Sequence, residues 1–433
     1  MNEGVTAVEP GIVSLRTSPA VDRRSVARLL SRLRTPDGQA NPLPHYAEIR
    51  SMGDVVPAPW GGYLVNSYGL CDRILRSKSW LVPDSSWRAR QGRTPRWTAA
   101  SSQEMAAMLP GLNPPHHTRV RRSVGKIFDR RALVDIQKSV ERFTEELLDE
   151  LDVQLKDGEA DFGAIVSDQL PVLTIGDWLG LPTADYPLLR SLTHDQVFAQ
   201  ELLPSASQLA LSDAATEILR EYFTALVKER RKAPGDDPVS GWIRTWDHLE
   251  RDREKADEAV YRLVLFVVLA ALETTANLLS TAVWLITSHP RQMGWLRAQP
   301  ENIPAAVEEV LRYDSPTHVV TRVAGEDTVL AGVPVRKDQL VHCMVGVANH
   351  DPAQHVDPHL FDARRRAGHL SFSSGIHYCL GSALARLEAH TLLTAVLRRF
   401  PGLRPSRMPE WAPRVAFRRL LTLPVAQAGV GVR

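Results

Sequence analysis

The sequence predicts a mainly α-helical protein with a minor β part, built as one large domain around a long, buried central helix. Three observations support this fold class. Strand patterns are almost absent between residues 114 and 288. The segment 255–288 is apolar on all sides in its middle, which indicates a helix inside the core, and Pro290 ends it. Short β-branched runs return only after residue 318.

The N-terminal elements follow in order. Residues 1–20 lack periodicity and are expected to form a flexible arm. No repeat or linker divides residues 21–433, so we expect them to form a single domain. The first helix carries an apolar stripe within 26–33, the prolines and glycines of 55–67 indicate strands and turns, and 80–112 lacks a sustained period and is predicted to be a long loop.

Most later elements are helical. The pattern predicts helices at 118–128, 132–155 and 170–179, with further helices continuing to residue 231. After the central helix, the sequence predicts a helix at 304–313, β-like runs at 319–323, 329–335 and 340–347, a last helix after Gly381, and a hairpin or edge strand within 415–425.

Composition excludes several classes of protein. The 433 residues carry 52 basic and 50 acidic side chains, a net charge of +2, so no overall field favours nucleic acid. The three cysteines lie far apart without a C-x-x-C pair, which argues against a disulfide framework and a zinc cage and favours a reducing compartment. The longest apolar run, 263–272, is about half of a membrane span. We therefore expect a cytoplasmic protein with no membrane and no nucleic-acid partner.

The most informative stretch is residues 372–381, F-S-S-G-I-H-Y-C-L-G, which a helical pattern follows at once. A cysteine just before a helix lies near unpaired N–H groups and a positive partial charge; both favour the thiolate, which can ligate iron. Gly375 permits a turn, Gly381 allows backbone to approach a flat macrocycle, and His377 can donate a hydrogen bond to a carboxylate. The alternative is that Cys379 is an ordinary small apolar residue.

This segment resembles the cysteine-ligand loop of the cytochrome P450 family, with its phenylalanine (Phe372), first glycine, histidine, cysteine and final glycine all in place. The resemblance implies the cytochrome P450 fold, haem b as the cofactor and Cys379 as the axial ligand to iron, with Phe372 beside the porphyrin. It also implies a soluble, bacterial-type haem-thiolate monooxygenase, in which thiolate ligation favours O–O cleavage.

A second motif of the family is E-E-V-L-R, in which Glu309 and Arg312 lie three apart on one helix face, so that a carboxylate and a guanidinium can meet. In the family this pair is structural and is joined by a third basic residue. Spacing favours Arg365 for that position, while Arg364 and Arg366 stay open.

The segment N-P-P-H-H-T-R-V-R-R resembles the helix at the haem edge and places His117 and Arg121 four apart on one face, where both can bind a propionate. Arg322 resembles the arginine that meets the other propionate. With His377 they form a consistent set of partners for the haem carboxylates, although any one arginine alone could be a solvated surface charge.

Within the central helix, A-A-L-E-T-T (270–275) matches most of the family's oxygen-activation segment. A carboxylate and two hydroxyls in an apolar helix are costly to bury unless they are hydrogen-bonded. By resemblance, Thr274 would hold dioxygen by a hydrogen bond and Glu273 would relay protons, making both catalytic. The alternative is that the hydroxyls bond to the preceding turn and Glu273 reaches water. Ala271 departs from the family's usual glycine, which puts the width of the oxygen groove in doubt.

The resemblance also implies partners. Since one haem domain fills the chain, electrons are expected from a separate ferredoxin and ferredoxin reductase. Basic residues on the cysteine side would form a patch for an acidic carrier, or merely a soluble face: Arg119, Arg122, Lys126 and Arg386.

The implied substrate is a small-molecule secondary metabolite such as a polyketide, macrolide, terpenoid or peptide, either free or tethered to a carrier protein. Within 80–112 two tryptophans enclose four arginines, which predicts a lid for a large or anionic substrate, although a mobile, solvated loop explains the same residues. These residues are Trp87, Trp97, Arg88, Arg90, Arg93 and Arg96. The expected pocket walls are Leu272, Val319, Val320 and Val415.

Three other functions are alternatives to a monooxygenase. A non-catalytic haem-binding helper has no need of a buried acid–threonine pair, so Glu273 and Thr274 argue against it. Oxidative coupling or desaturation without oxygen insertion stays open as an alternative within enzymes. A helical interaction protein without haem would leave the cysteine segment unexplained.

Overall fold

The computed structural model describes residues 21–92, 94–124, 130–366 and 368–427. The predicted arm at 1–20 lies outside the described residues, as do Arg93 and Lys126. The protein is 61% helical with a few small sheets, which confirms the predicted fold class. The assignment of residues 21–433 to a single domain stays a prediction.

The helices before the central one begin with α1, whose predicted stripe of Val26, Leu29, Leu30 and Leu33 is buried. They are α1 (Arg23–Leu33), α2 (Pro36–Ala40), α3 (Leu43–Ser51), α4 (Tyr68–Arg76), α5 (Ser85–Arg90), α6 (Pro95–Thr98), α7 (Ala100–Ala107), α8 (His116–Ser123), α9 (Arg130–Leu155), α10 (Leu170–Leu179), α11 (Tyr186–Gln196), α12 (Ala206–Lys232) and α13 (Pro238–Leu249). Single turns of 3₁₀ or π-helix lie at Leu109–Gly111, Gly163–Ser167, Thr183–Asp185, Val197–Gln200, Pro300–Asn302 and Gly375–His377.

The central helix, α14 (Arg253–Thr287), is 35 residues long. Asp252 caps its first turn by accepting hydrogen bonds from the backbone of Glu254 and Lys255. Pro290 stands where a continuing helix would lose a hydrogen bond, and it begins the next helix instead. The remaining helices are α15 (Pro290–Ala298), α16 (Ile303–Tyr313), α17 (Val345–Ala348) and α18 (Ser382–Arg399).

Among the described residues, α14 is the one helix long and apolar enough to cross a membrane, with a mean hydropathy of 1.9 over its most apolar window. Within the protein, however, 78% of that window is buried. The apolar residues of its first half lie in one core cluster with α12 and α13, and those of its last turns lie in another with α16 and α18. The hydropathy of α14 therefore reflects its place in the core.

The strands are β1 (Val55–Pro57), β2 (Tyr63–Val65), β3 (Trp80–Leu81), β4 (Ala160–Asp161), β5 (Val319–Ala324), β6 (Thr328–Leu330), β7 (Val333–Val335), β8 (Leu340–Met344), β9 (Leu403–Pro405), β10 (Glu410–Trp411), β11 (Leu420–Thr422) and β12 (Pro424–Gln427). The largest sheet has the order β1-β2-β8-β5-β3, in which β2 and β8 are parallel and the other pairs are antiparallel. The chain end forms two small sheets, β4-β12-β9 and β10-β11.

The prediction of a long loop at 80–112 is wrong, because α5, α6 and α7 lie within it. Two of these helices are only 4 and 6 residues long, too short to show a periodic pattern. Asp84 starts α5 by accepting a hydrogen bond from the backbone N–H of Trp87. The Trp87 and Trp97 rings pack edge to face with centroids 5.2 Å apart, which joins α5 to α6.

Candidate active site

A cavity of about 410 Å³ lies beside the middle of α14. The loop that carries Cys379 and the start of α18 form its floor, and α14 forms one side. The α8 helix, strand β5 and the helices α5 to α7 close the remaining sides. Most of the predicted site residues line this one cavity: His117, Arg121, Glu273, Thr274, Arg322, Phe372, His377, Cys379 and Gly381.

The cysteine loop is fixed by its own backbone. The N–H of Cys379 donates to the carbonyl of Phe372 at 2.9 Å, which closes the turn that ends at α18. Gly375 has a φ of +70°, and a Cβ there would lie 2.5 Å from the carbonyl oxygen of Leu75, so this turn needs glycine. At Gly381, a Cβ would meet no protein atom within 4 Å and would enter the cavity.

The surroundings of Cys379 correct one expectation. Burial raises the pKa of the Cys379 thiol above its usual value. The backbone N–H groups of Gly381 and Ser382 and the guanidinium of Arg121 lower it, but they do not outweigh burial. The start of the helix therefore does not produce the thiolate by itself, whereas a metal ion bound to the sulfur would deprotonate it.

Four cationic or polar groups surround the cavity near the sulfur. The rings of His117 and His377 lie 4.4 Å apart, and neither they nor Arg121 and Arg322 form an ion pair with a described carboxylate. Burial and the neighbouring guanidiniums lower the pKa of His377 to about 3, and burial lowers that of Arg322 to about 10. His117 Nε2 and Arg322 Nη2 are buried without a hydrogen-bond partner among the described residues.

These features fit a haem. Its two propionates would supply acceptors for the unpartnered nitrogens of His117 and Arg322, and their charge would offset the like-charge repulsion within this group. The flat macrocycle would lie over Gly381, where no side chain projects. The single thiol of Cys379 opens on the same cavity.

The α14 side of the cavity carries the predicted acid and threonine. Thr274 donates its hydroxyl proton to the carbonyl of Ala270 at 2.7 Å, the bond to the preceding turn that the alternative interpretation expects. That alternative also expects Glu273 to reach water. Glu273 is instead buried, with 2% of its surface exposed. Ala271 lines the cavity, and Leu272 turns away into the core.

Glu273 is held by residues that the sequence interpretation missed. Its Oε1 accepts from Arg414 Nη1 at 2.5 Å and its Oε2 lies 2.6 Å from His194 Nδ1. Arg419 lies 3.7 Å from Oε2 and also pairs with Asp168 at 2.9 Å. Although burial opposes ionisation, these partners together lower the pKa of Glu273 to about 2. The signal for them in the sequence is only the arginine-rich run at 414–419.

The motif around Glu309 is confirmed as a structural cluster. Arg312 is fully buried and donates to both carboxylate oxygens of Glu309, at 2.6 and 2.8 Å. Arg365 donates to Glu309 at 3.1 Å, which selects it over Arg364 and Arg366. This cluster fixes the segment 349–365 against α16.

Two of the expected patch residues have other partners. Arg386 forms a two-pronged pair with Glu308, at 2.7 and 2.8 Å, and Arg119 pairs with Glu250 at 3.1 Å. The patch is therefore less cationic than the sequence suggests. Among the expected pocket walls, Val319 and Val320 line the cavity, but Leu272 and Val415 do not.

One cysteine thiol on a cation-rimmed cavity beside the core helix is the arrangement expected of the haem-thiolate class. The Cytochrome P450 family model matches residues 192–413. The chain is 33% identical over 389 residues to the polyketide biosynthesis cytochrome P450 PksS of Bacillus subtilis, covering 88% of this chain and 92% of that protein. It is 32% identical over 402 residues to the cytochrome P450 monooxygenase PikC of Streptomyces venezuelae, covering 90% and 92%.

Solved structures agree with the sequence matches. P450BioI, in complex with a hexadec-9Z-enoic acid ligated acyl carrier protein, superimposes with a TM-score of 0.82 at 28% identity, covering 90% of this chain and 100% of that one. The chain belongs to the cytochrome P450 family. It is a haem-thiolate monooxygenase that needs redox partners and a small-molecule substrate.

Proposed function

We propose that this protein inserts one oxygen atom from dioxygen into an organic secondary metabolite, with Cys379 as the axial ligand of haem b. The carrying observation is that the Cys379 thiol, the acid Glu273 and the hydroxyl of Thr274 all face one cavity. His117, Arg121, Arg322 and His377 would bind the two propionates of haem b, and Phe372, Gly375 and Gly381 would shape the loop against it. When bound, the haem supplies oxygen activation, which thiolate ligation favours.

Proton supply is the task we assign to Glu273. Its carboxylate is ionised at neutral pH, because its pKa is about 2, and it contacts both Arg414 and His194. The side chain of His194 is 30% exposed, whereas that of Glu273 is 2% exposed, so His194 offers the route from solvent. A proton would pass from His194 to Oε2 of Glu273 and, after the carboxyl group turns, toward Thr274.

Thr274 would hold dioxygen on the cavity side of α14. Its hydroxyl proton is engaged with Ala270, which leaves the oxygen free to accept a proton or a hydrogen bond from the cavity. Apolar residues of the same wall, including Phe266, Val267 and Leu269, keep bulk water from this region. The hydroxyl would thus receive protons from Glu273 and not from solvent at random.

The substrate class follows from the cavity and the relatives. The cavity walls that α14 and β5 contribute are lined largely by apolar side chains, which suits an apolar organic substrate beside the haem. PksS is named for polyketide biosynthesis, and P450BioI was solved with a fatty acid on an acyl carrier protein. We therefore propose a polyketide-like or acyl substrate, either free or tethered to a carrier protein.

Electrons would come from a ferredoxin and its ferredoxin reductase in the cytoplasm. The P450 relatives PksS and PikC align with 88% and 90% of this chain, which supports an electron donor on a separate protein. The exposed side chains of Ile376 and Tyr378, next to Cys379, offer an apolar contact on the side of the sulfur.

The test is the absorption spectrum of the dithionite-reduced protein with and without carbon monoxide, for the wild type and for Cys379→Ala. We expect the strongly red-shifted carbonyl band of thiolate ligation in the wild type and its complete loss in the variant. Cys71→Ala is the matched control, because Cys71 is buried away from the cavity and its variant should keep the band. A band that survives in Cys379→Ala would refute the proposed ligand.

A further inference from the structure

Two arginines line the cavity in addition to those around Cys379, and the proposed function does not use them. Arg88 and Arg96 both contact the Trp97 ring, with their guanidinium carbons 5.2 and 4.5 Å from its centre. Burial and the charge of Arg96 together lower the pKa of Arg88 to about 10. Two like charges in a part-buried wall are costly unless an anion joins them.

The partners of these arginines in the protein are neutral. Arg88 donates to the backbone carbonyls of Pro83 and Ser102, and Arg96 donates to the carbonyl of Leu202 at 2.7 Å. The Nε of Arg96 is buried without a partner among the described residues. Neither guanidinium forms an ion pair with a described carboxylate.

The two carboxylates whose charges act on these arginines accept hydrogen bonds from other groups. Glu201, which acts on Arg96 by charge, accepts hydrogen bonds from three backbone N–H groups at 415–417, each at 3.1 Å. Asp84, which acts on Arg88, accepts from the N–H of Trp87 and from the side chain of Asn113. These two anions reduce the positive potential at the wall, but they occupy none of the guanidinium donors, and those that do not bond to backbone carbonyls can bind a ligand.

We propose that Arg88 and Arg96 bind a carboxylate of the substrate, so that the substrate is an organic acid whose apolar body extends from the Trp97 end of the cavity toward Cys379. This inference rests on the proposed function. A guanidinium is the side chain that best matches a carboxylate, because its planar fork can donate two parallel hydrogen bonds. Both guanidiniums contact the Trp97 ring, which in turn packs edge to face on Trp87.

The haem propionates are not the expected anions here. The cations that would bind them surround Cys379, and Arg121 is close enough to be affected by the charge of that sulfur. Arg96 instead contacts Leu202 in the loop before α12 and affects the buried His342 on β8. We therefore assign the two sets of cations to two different anions in one cavity.

The experiment measures binding to the haem-loaded enzyme by calorimetry, with decanoic acid and naphthaleneacetic acid as probes, each beside its neutral primary amide. We expect the wild type to bind at least one acid about tenfold more tightly than its amide. In Arg88→Gln and Arg96→Gln, the acid-to-amide preference should fall to near unity while the amide affinity stays unchanged.

Two further variants distinguish a structural role of these arginines from a role in binding the substrate. Arg96→Lys keeps the charge and should retain part of the preference, even where its contact with Leu202 is lost. Arg90→Gln is the matched control. Arg90 lies on α5 like Arg88, but it faces solvent and pairs with Asp338 at 2.8 Å, so its variant should keep the full acid-to-amide preference.

The outcomes separate this inference from the proposed function. Equal or absent binding of acid and amide by the wild type overturns it, as does a preference that survives in the double variant Arg88→Gln/Arg96→Gln. A loss of haem content in these variants also overturns it, since that result would assign the two arginines to the haem. A normal thiolate carbonyl band in the same preparations would show that the proposed function stands regardless.

Discussion

Arg312 and Arg322 are both buried arginines, but their environments differ. The guanidinium of Arg312 donates to both oxygens of Glu309 and to the carbonyls of Asn349, Pro358 and Leu360. Arg322 donates to the carbonyl of Thr321 at 2.9 Å, and its Nη2 has no partner among the described residues. Burial correspondingly lowers the pKa of Arg322 to about 10.

The comparison separates a structural cation from a ligand-binding one. A buried guanidinium whose donors are satisfied holds the chain together, whereas one with an unsatisfied donor and no counter-charge is stable only when another molecule supplies the acceptor. Arg312 belongs to the first kind. We assign Arg322, which faces the cavity, to the second kind, and Arg96, whose Nε is also buried without a partner among the described residues, shares this unsatisfied donor.

The largest effect is expected for Arg312→Lys. Lysine cannot reproduce the fork that binds Glu309 and would leave that carboxylate partly unpaired inside the protein. We expect the free energy of unfolding to fall by about 3–5 kcal/mol, measured by urea denaturation of the haem-loaded protein. The control is Arg32→Lys at an exposed pair with Glu48, where the loss should stay under about 1 kcal/mol. Equal losses in both variants would contradict the assignment.

Arg322→Gln should weaken haem binding without lowering the stability of the haem-free protein. The free energy of unfolding without haem should not fall, because a buried, uncompensated charge is removed. Haem affinity should fall by about tenfold to a hundredfold, since a charged hydrogen bond to a propionate is lost. Transfer of haem to an excess of apomyoglobin measures this. If Arg322→Gln loses as much stability as Arg312→Lys while haem transfer is unchanged, Arg322 is a structural cation and not a haem-binding one.

A third prediction concerns a buried carboxyl group, Glu388. Burial raises its pKa to about 8, from an ordinary value of 4.5. Between those two pH values the unfolded chain has lost this proton and the folded chain retains it, so stability falls as pH rises. Glu388→Gln should therefore raise the free energy of unfolding by at most about 3 kcal/mol at pH 7 and flatten its slope between pH 5 and 8.

Urea denaturation across that pH range measures the change, with the exposed Glu217→Gln as the control that alters neither quantity. An unchanged slope in Glu388→Gln would mean that the buried carboxyl group does not control this part of the pH profile.

Local patterns predicted much of the fold. The all-round apolar segment led to α14 within about two residues, since a helix buried on every side has no other sequence pattern. The helices predicted at 170–179 and 304–313 from the helical pattern are observed at Leu170–Leu179 and Ile303–Tyr313. The cysteine loop was predicted because its constraints, such as the positive φ of Gly375, act within ten residues.

Contacts between distant segments could not be predicted. His194 and Arg414 meet Glu273 only after α11, α14 and the chain end pack together, across separations of 79 and 141 residues. The sequence gives each of them the appearance of an ordinary surface residue. The same holds for α5 and α6, whose short turns are stabilised by tertiary contacts such as the Trp87–Trp97 pair more than by helix propensity.

Glu201 and Leu202 join three distant parts of the chain. The carboxylate of Glu201 accepts from three backbone N–H groups at 415–417, and the carbonyl of Leu202 accepts from Arg96. These bonds connect α6, the loop before α12 and the chain end, so a molecule that entered between α6 and the chain end would have to break them. Weakening the bonds would then speed arrival and departure together and leave the affinity of the cavity unchanged.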